Sequence, residues 1–321
     1  MSNGNEAGTI PLSGEQHIIE HGELRAVIAS VGASLRELSR AGRDYVVPFA
    51  ADELRPHSRG VTVAPWPNRV VDGRYRFDGV EHQLPITEVA RGHALHGFTP
   101  WLGFAPGERI GDRAGQASSV TLTATVEPQR GYPWRVRIDT RFALDERGLE
   151  QTVTATNLSG TAAPYGVCPH PYLIAGPSPL DEWELTLPAS QVLRVTEDRL
   201  IPVDLQPVGA DAERFDYRVP RAIGGTRLDH AFTALARDAS GEARVELRDP
   251  AGGGVAMSWG EACDWMQVFT ADAPGDPDDR IGLAVEPMTC APDAFNGGAG
   301  RGMIRLEPGA SHTASWRIDP L

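Results

Sequence analysis

A single glutamate, Glu286, sits in the otherwise uncharged and largely apolar run GLAVEPMTCAP, residues 282–292. A carboxylate removed from water without a partner costs several kcal/mol or shifts its pKa, so a glutamate here needs a chemical reason. Burial raises a carboxyl pKa toward neutrality, where the group serves as a general base. His170, in PYGVCPHPYLIAG (164–176), is bracketed by Pro169 and Pro171. The prolines restrict the backbone on both sides to extended or turn conformations. An imidazole presented so rigidly, with an ordinary pKa of about 6.5, can give or take a proton near neutral pH. Capping a turn is its other possible task.

Three further stretches carry polar groups in unusual settings. In APWPNRVVDGRYRFDG (64–79), two prolines flank Trp66 ahead of Asn68 and Arg69, and stiff backbone suits a guanidinium that grips a polar ligand. In RGHALHGF (91–98), His93 and His96 have HxxH spacing. Gly92 and Gly97 make that segment a loop rather than the helix a zinc pair uses, so a hydrogen-bonding role is expected and no metal. Asp229 in RLDHAFTAL (227–235) and Gln267 in CDWMQVFTAD (263–272) stand beside apolar residues. Each fits either a polar group facing a cleft or a satisfied cap.

Composition narrows the chemistry. All 30 basic residues among the 321 are arginine, which removes Schiff-base, pyridoxal-phosphate and phosphate-loop lysines. Net charge is −13, which argues against nucleic acid or an anionic membrane surface as partner. Cys168, Cys263 and Cys290 form no CxxC pair and fit a reducing compartment. The N-terminus lacks a signal-peptide pattern and no run of 18 apolar residues occurs, so a cytoplasmic protein is expected, as monomer or homodimer.

The elements that must position these groups are strands. RVRIDTRFAL (135–144) puts Val136, Ile138 and Phe142 on one side and Arg135, Arg137, Asp139 and Arg141 on the other; SVTLTATVE (119–127), WELTL and ARVELRD alternate likewise. DERG, DASG and DPAGGG supply turns between them. GASLRELSRAG (32–42) is the best candidate for a short helix, and ADAPGDPDDR (271–280) for a solvated loop. The expected fold is all-β, a large antiparallel β-sandwich, with 1–321 a single domain and about 1–20 a polar lead-in.

Taken in order, PNR, LHGF, HPY, LDHAF, MQVFT and VEPMTCAPDAFN resemble the aldose 1-epimerase (galactose mutarotase) family from about residue 25 to 318. APWPNRVVDGRYRFDG with RGHALHGF is most similar to a bacterial subgroup that includes sulfoquinovose mutarotases. The resemblance implies a β-supersandwich and interconversion of the α and β anomers of a free sugar, without cofactor or metal. It implies Glu286 as general base and His170 as general acid. Asn68, Arg69, His96, Asp229 and Gln267 would position sugar hydroxyls, with Tyr172 of HPY beside them. Phe98 stands where many relatives have a second glycine, and is expected to narrow one wall of the pocket.

The chemistry fits these residue types. Opening a cyclic hemiacetal takes a proton from the C1 hydroxyl and gives one to the ring oxygen, a task for a carboxylate and a protonated imidazole on opposite sides. The aldehyde then rotates and recloses from the other face. A hexose-6-phosphate 1-epimerase would need arginines such as Arg69, Arg74 and Arg91 clustered around the phosphate. A non-catalytic carbohydrate-binding protein would not need the acid–base pair, and a glycosidase would need two carboxylates flanking the bond.

Overall fold

The alternating stretches form the longest strands. In the computed structural model, which describes residues 9–110, 118–297 and 302–321, nine antiparallel strands make one sheet. Its order is Ala105–Ile110, Ser118–Val126, Val136–Leu144, Leu149–Asn157, Ser311–Pro320, Gly254–Trp259, Ala243–Arg248, Glu184–Thr186 and Arg221–Ala222. Val136, Ile138, Thr140, Phe142 and Leu144 are buried, while the residues between them face outward. The period-2 pattern is therefore the core pattern. Truncating Phe142 to alanine would cost about 3–5 kcal/mol. Polar groups that alternation carries inward are satisfied: Gln151 donates to Thr62 (2.8 Å) and Thr140 (3.2 Å) and accepts from Trp316 (3.0 Å). Aspartates close the turns, as when Asp145 accepts from the Arg147 amide at 2.9 Å and Asp249 from the Ala251 amide at 2.7 Å.

The second large sheet carries the candidate residues. Its strands are β1 (Tyr172–Leu173), β2 (Ala189–Val195), β3 (Pro202–Pro207), β4 (Asp229–Leu235), β5 (Trp265–Phe269) and β6 (Leu283–Met288). They run in the order β1-β6-β5-β4-β2-β3, each antiparallel to its neighbours. One continuous apolar core draws on both sheets, with Phe142 and Val153 from the first and Phe232 and Val285 from the second. The architecture is the expected large antiparallel β-sandwich. No helix among the described residues is long and apolar enough to cross a membrane.

Three sequence expectations need correction. Residues 32–42 are not a helix: Ser34–Arg40 is a strand in a four-stranded sheet with Gln16–His21, Leu24–Ala29 and Arg43–Asp44. A register shift pairs Val27 with Glu37 but Ile28 with Leu35. Arg36 is thus an extra residue, and Leu35 and Leu38 both point inward at a helix-like spacing. The lead-in is shorter than 20 residues, because His17 and Ile19 turn inward within Gln16–His21; residues 1–8 lie outside the described residues. Finally, 271–280 is a loop but not merely a solvated one. Asp278 meets Arg59 at 2.6 Å and Asp272 meets Arg280 at 2.6 Å, which ties the segment to the Arg59 turn and to itself.

Candidate active site

Register alone gathers most of the site. In the β5–β6 ladder Gln267 is opposite Glu286, and in the β4–β5 ladder Ala231 is opposite Gln267. Tyr172 is opposite Ala284, and Asp229 is opposite Phe269. Residues two apart on a strand share a face, so Tyr172, Glu286, Gln267 and Asp229 all project from one side of the sheet. Continuing the β1–β6 register by two residues brings His170 opposite Glu286. Proline brackets keep that segment extended: Cys168–Pro169 pairs with Thr62–Val63, and the His170 carbonyl accepts from the Gly60 amide at 2.8 Å.

Above this face, two loop segments supply the remaining groups. Asn68 and His96 both have left-handed backbone, φ 53° and 61°, a conformation in which asparagine and histidine are enriched. The His96 amide donates to the Asn68 carbonyl at 2.9 Å, locking the two segments together. Gly97 follows with φ 67°, and a Cβ there would stand 2.0 Å from the Ala64 carbonyl oxygen. Only glycine allows that approach, which holds His96 over the cavity. Arg69 points inward from the short strand Arg69–Val70, paired with Ala94–Leu95.

These elements enclose a cavity of about 390 Å³, a size suited to a small ligand. All eight residues singled out from the sequence line it: Asn68, Arg69, His96, His170, Tyr172, Asp229, Gln267 and Glu286. His170 Nε2 lies 3.3 Å from Glu286 Oε1, with both side chains buried. The His170 ring stacks on Tyr172 (5.2 Å between centroids) and meets His96 edge-on (5.1 Å). The Cys168 thiol donates to Glu286 Oε2 at 3.8 Å. Gln267 donates to Asp229 Oδ1 at 2.6 Å, and Arg69 Nη2 is 3.7 Å from Asp229 Oδ2. Five buried polar atoms of lining residues have no protein partner: Arg59 Nε, Arg91 Nε, His96 Nδ1, His170 Nδ1 and Gln267 Oε1.

Burial sets the protonation of the central pair. It pushes the Glu286 carboxyl well above the usual carboxylate range, with the Asp229 charge adding and Arg69 and the Cys168 thiol opposing. It pushes His170 down to about 3, a trend that Arg55 and His57 reinforce. The ordinary histidine pKa expected from sequence is therefore wrong, because the imidazole is fully enclosed. Glu286 and His170 are also adjacent, 3.3 Å apart, closer than an acid and a base expected on opposite sides of the reacting centre. Burial favours the neutral form of each group, and at 3.3 Å the two titrate as a coupled pair.

Other expectations fare unevenly. Phe98 does not line the cavity: it packs edge-on against Trp66, centroids 4.9 Å apart, and against the core. The left-handed turn at Gly97 swings it away from His96. The HxxH histidines diverge. His93 is buried outside the cavity, its Nε2 2.9 Å from the Arg199 carbonyl and its Nδ1 accepting from the Asp72 amide. Among the described residues no group of three or more His, Cys, Asp or Glu is arranged to hold a metal. Arg74 lies on an exposed hairpin, bonded to Gln83 at 3.0 Å. Glu88, Arg59, Asp278 and Phe269 line the cavity without having been foreseen. Only Phe269 had a usable signal, since it shares the face of Gln267 two residues earlier.

Comparison with known proteins agrees with this fold. The family model described as aldose 1-epimerase matches residues 15–319. The uncharacterised protein YihR of Escherichia coli K12 is 35% identical over 95% of this chain and 93% of its own length. Galactose mutarotase of Rattus norvegicus is 29% identical over 68% of this chain and 65% of its own. In fold, the chain resembles a galactose mutarotase-like protein of Clostridium acetobutylicum (TM-score 0.84, 18% identity, 98% of this chain and 97% of that one). A galactose 1-epimerase of Lactobacillus acidophilus gives a TM-score of 0.77 at 18% identity, over 95% and 94% of the two chains. With the family model spanning nearly its whole length, the chain belongs to the aldose 1-epimerase family.

Proposed function

We propose that this protein interconverts the anomers of a free aldose, with Glu286 as general base and His170 as general acid. The observation that carries the reading is the convergence of Glu286 Oε1 and His170 Nε2, 3.3 Å apart, in a cavity that Asn68, Arg69, Asp229 and Gln267 also line. The C1 hydroxyl oxygen and the ring oxygen are both bonded to C1. An acid and a base standing close together can therefore reach both. The hydroxyl donates its proton to Glu286 as the ring oxygen receives one from His170; each transfer contributes about 10²–10⁴-fold. The open aldehyde turns about C1–C2, and reclosure returns both protons.

One proton in the pair suffices for each half of the cycle. Burial alone leaves it on Glu286, whereas Arg69 and the sugar hydroxyl both favour the carboxylate form, so binding moves the proton toward His170. Asn68, Arg69, His96, Asp229 and Gln267 are assigned the remaining sugar hydroxyls, and the unpartnered His96 Nδ1 and Gln267 Oε1 support that role. Tyr172 supplies a flat wall under His170. The hexose-6-phosphate alternative is less well supported. Arg74 is remote, and Arg69 and Arg91 share the single carboxylate of Glu88 at 2.8 and 2.9 Å. A mere binding protein gains nothing from so costly a buried pair.

The test is NMR exchange or polarimetry on freshly dissolved α-anomers of glucose, galactose, xylose, glucose-6-phosphate and sulfoquinovose. Acceleration of at least one unphosphorylated sugar is expected. Acceleration of none of the five would overturn the reading, and acceleration of the phosphate ester alone would replace it with the alternative.

A further inference from the structure

We propose that Glu88 is a positioning residue for this site: its carboxylate clamps Arg69 at two points and thereby fixes where the guanidinium charge stands relative to Asp229 and Glu286. The proposal rests on the reading of the cavity as an anomer-interconverting site, but its central measurement does not depend on turnover.

Arg69 Nε donates to Glu88 Oε2 at 2.8 Å and Nη2 to Glu88 Oε1 at 3.0 Å. This is the paired-fork geometry that fixes a guanidinium in its plane as well as its position. Both side chains are almost wholly enclosed, Arg69 at 9% and Glu88 at 11% exposure. The other contacts of the Arg69 guanidinium are looser, 3.4 Å to Asn68 and 3.7 Å to Asp229. Glu88 is itself firmly mounted. Its amide donates to the His93 carbonyl at 3.0 Å, and its carbonyl accepts from the amides of Gly92 (2.8 Å) and His93 (3.2 Å). The His93 ring ties this turn to the Arg199 carbonyl. Arg91 donates a third hydrogen bond to the carboxylate at 2.9 Å. Burial alone would raise the Glu88 pKa, but Arg69 and Arg91 together hold it below the usual carboxylate range, so the clamp is charged.

A merely structural salt bridge would end there. Arg69, however, is the cation that bears on Glu286. The charged and titratable groups around Glu286 are His170, Tyr172 and Cys168 from the HPY segment, Asp229 from β4, and Arg69. Neutralising Glu88 leaves the positive charge of Arg69 less compensated, which favours the Glu286 carboxylate. The Glu286 proton is then lost at lower pH.

The experiment is carbon NMR of the full chain with labelled glutamate carboxyls and no sugar present, Glu286 being identified by its disappearance in Glu286→Gln. In Glu88→Gln the Glu286 midpoint is expected to fall by about half a unit or more. KM for whichever sugar is accelerated is expected to rise about tenfold, more than kcat falls. Glu88→Asp keeps the charge but shortens the reach, so it should restore the midpoint while KM stays raised. An unchanged midpoint in folded Glu88→Gln overturns the proposal. If Glu88→Gln does not fold, unchanged KM in Glu88→Asp overturns it. Inactivity of the wild type on every sugar overturns the function reading instead, and the midpoint comparison still decides the electrostatic role of Glu88.

Discussion

Gln267 and Glu286 face each other directly across the β5–β6 ladder, so an amide and a buried carboxylate share one row of the sheet. His170 continues that row beyond Glu286, and the Gln267 amide turns the other way to hold Asp229 at 2.6 Å. The row is a fixed backbone relationship, and the following outcomes depend on it.

Glu286→Gln and His170→Asn are each expected to lower turnover by at least about 10²-fold while the protein stays folded. Glu286→Gln keeps the side-chain shape and His170→Asn keeps a polar amide, while neither replacement can exchange a proton near neutral pH, so the loss reports on proton transfer. Exchange NMR together with a near-UV circular dichroism spectrum checks both halves. A near-normal rate in Glu286→Gln would remove Glu286 as the base.

The same Glu286→Gln variant is expected to melt higher than the wild type at pH 7. An unfolded glutamate ionises above its ordinary value of 4.5, whereas burial makes the folded carboxyl give up its proton only at higher pH. Stability is therefore full below the unfolded value and is lost as pH climbs toward the folded one. Glutamine escapes that loss, so its advantage should be clear at pH 7 and small near pH 4. Scanning calorimetry at the two pH values measures it, and a variant less stable at both would contradict the buried-carboxyl account.

Activity should follow pH as a broad bell with its acid limb well below 6.5. The pair works with one proton. On the acid side it takes up a second, and His170 resists this because burial holds it near about 3. On the alkaline side it loses the shared proton as pH passes the raised Glu286 value. Half-maximal kcat/KM at pH 6.5 on the acid limb would mean that His170 titrates as an exposed histidine.

Gly97→Ala should destabilise the fold by about 2 kcal/mol or more. The position combines φ 67° with a Cβ path 2.0 Å from the Ala64 carbonyl oxygen. Because His96 precedes it, KM should rise even at temperatures where the variant is folded. Urea melts and steady-state kinetics on the same preparation test both, and wild-type values in each would show that the turn gives way easily.

The sequence disclosed this site unevenly, for physical reasons. Alternation along 120–126 and 136–144 reports a half-buried sheet, and the strands there match it residue by residue. Glu286 and His170 were legible because a lone charge in an apolar run and a proline-bracketed histidine are both anomalies against such a background. Glu88 and Arg59 sit in polar loop segments, where an acid or an arginine is ordinary, and only tertiary folding brings them to the cavity. Phe98 was misjudged because the turn at Gly97 decides its direction, and no spacing rule predicts that turn. The bulge at Arg36 misled in the same way, by imitating the period of a helix.

Asp229, Gln267 and Glu286 lie on strands, while His57, Arg59, Glu88, Arg91 and Asp278 reach the cavity from connecting segments. Inserting one residue into β5 would flip Gln267 to the opposite face, whereas lengthening the 271–281 connection would leave the row untouched. On the proposed function, evolution can therefore retune which ligand enters by insertion and deletion in the connections, while the Glu286–His170 pair is open to change only by substitution in place.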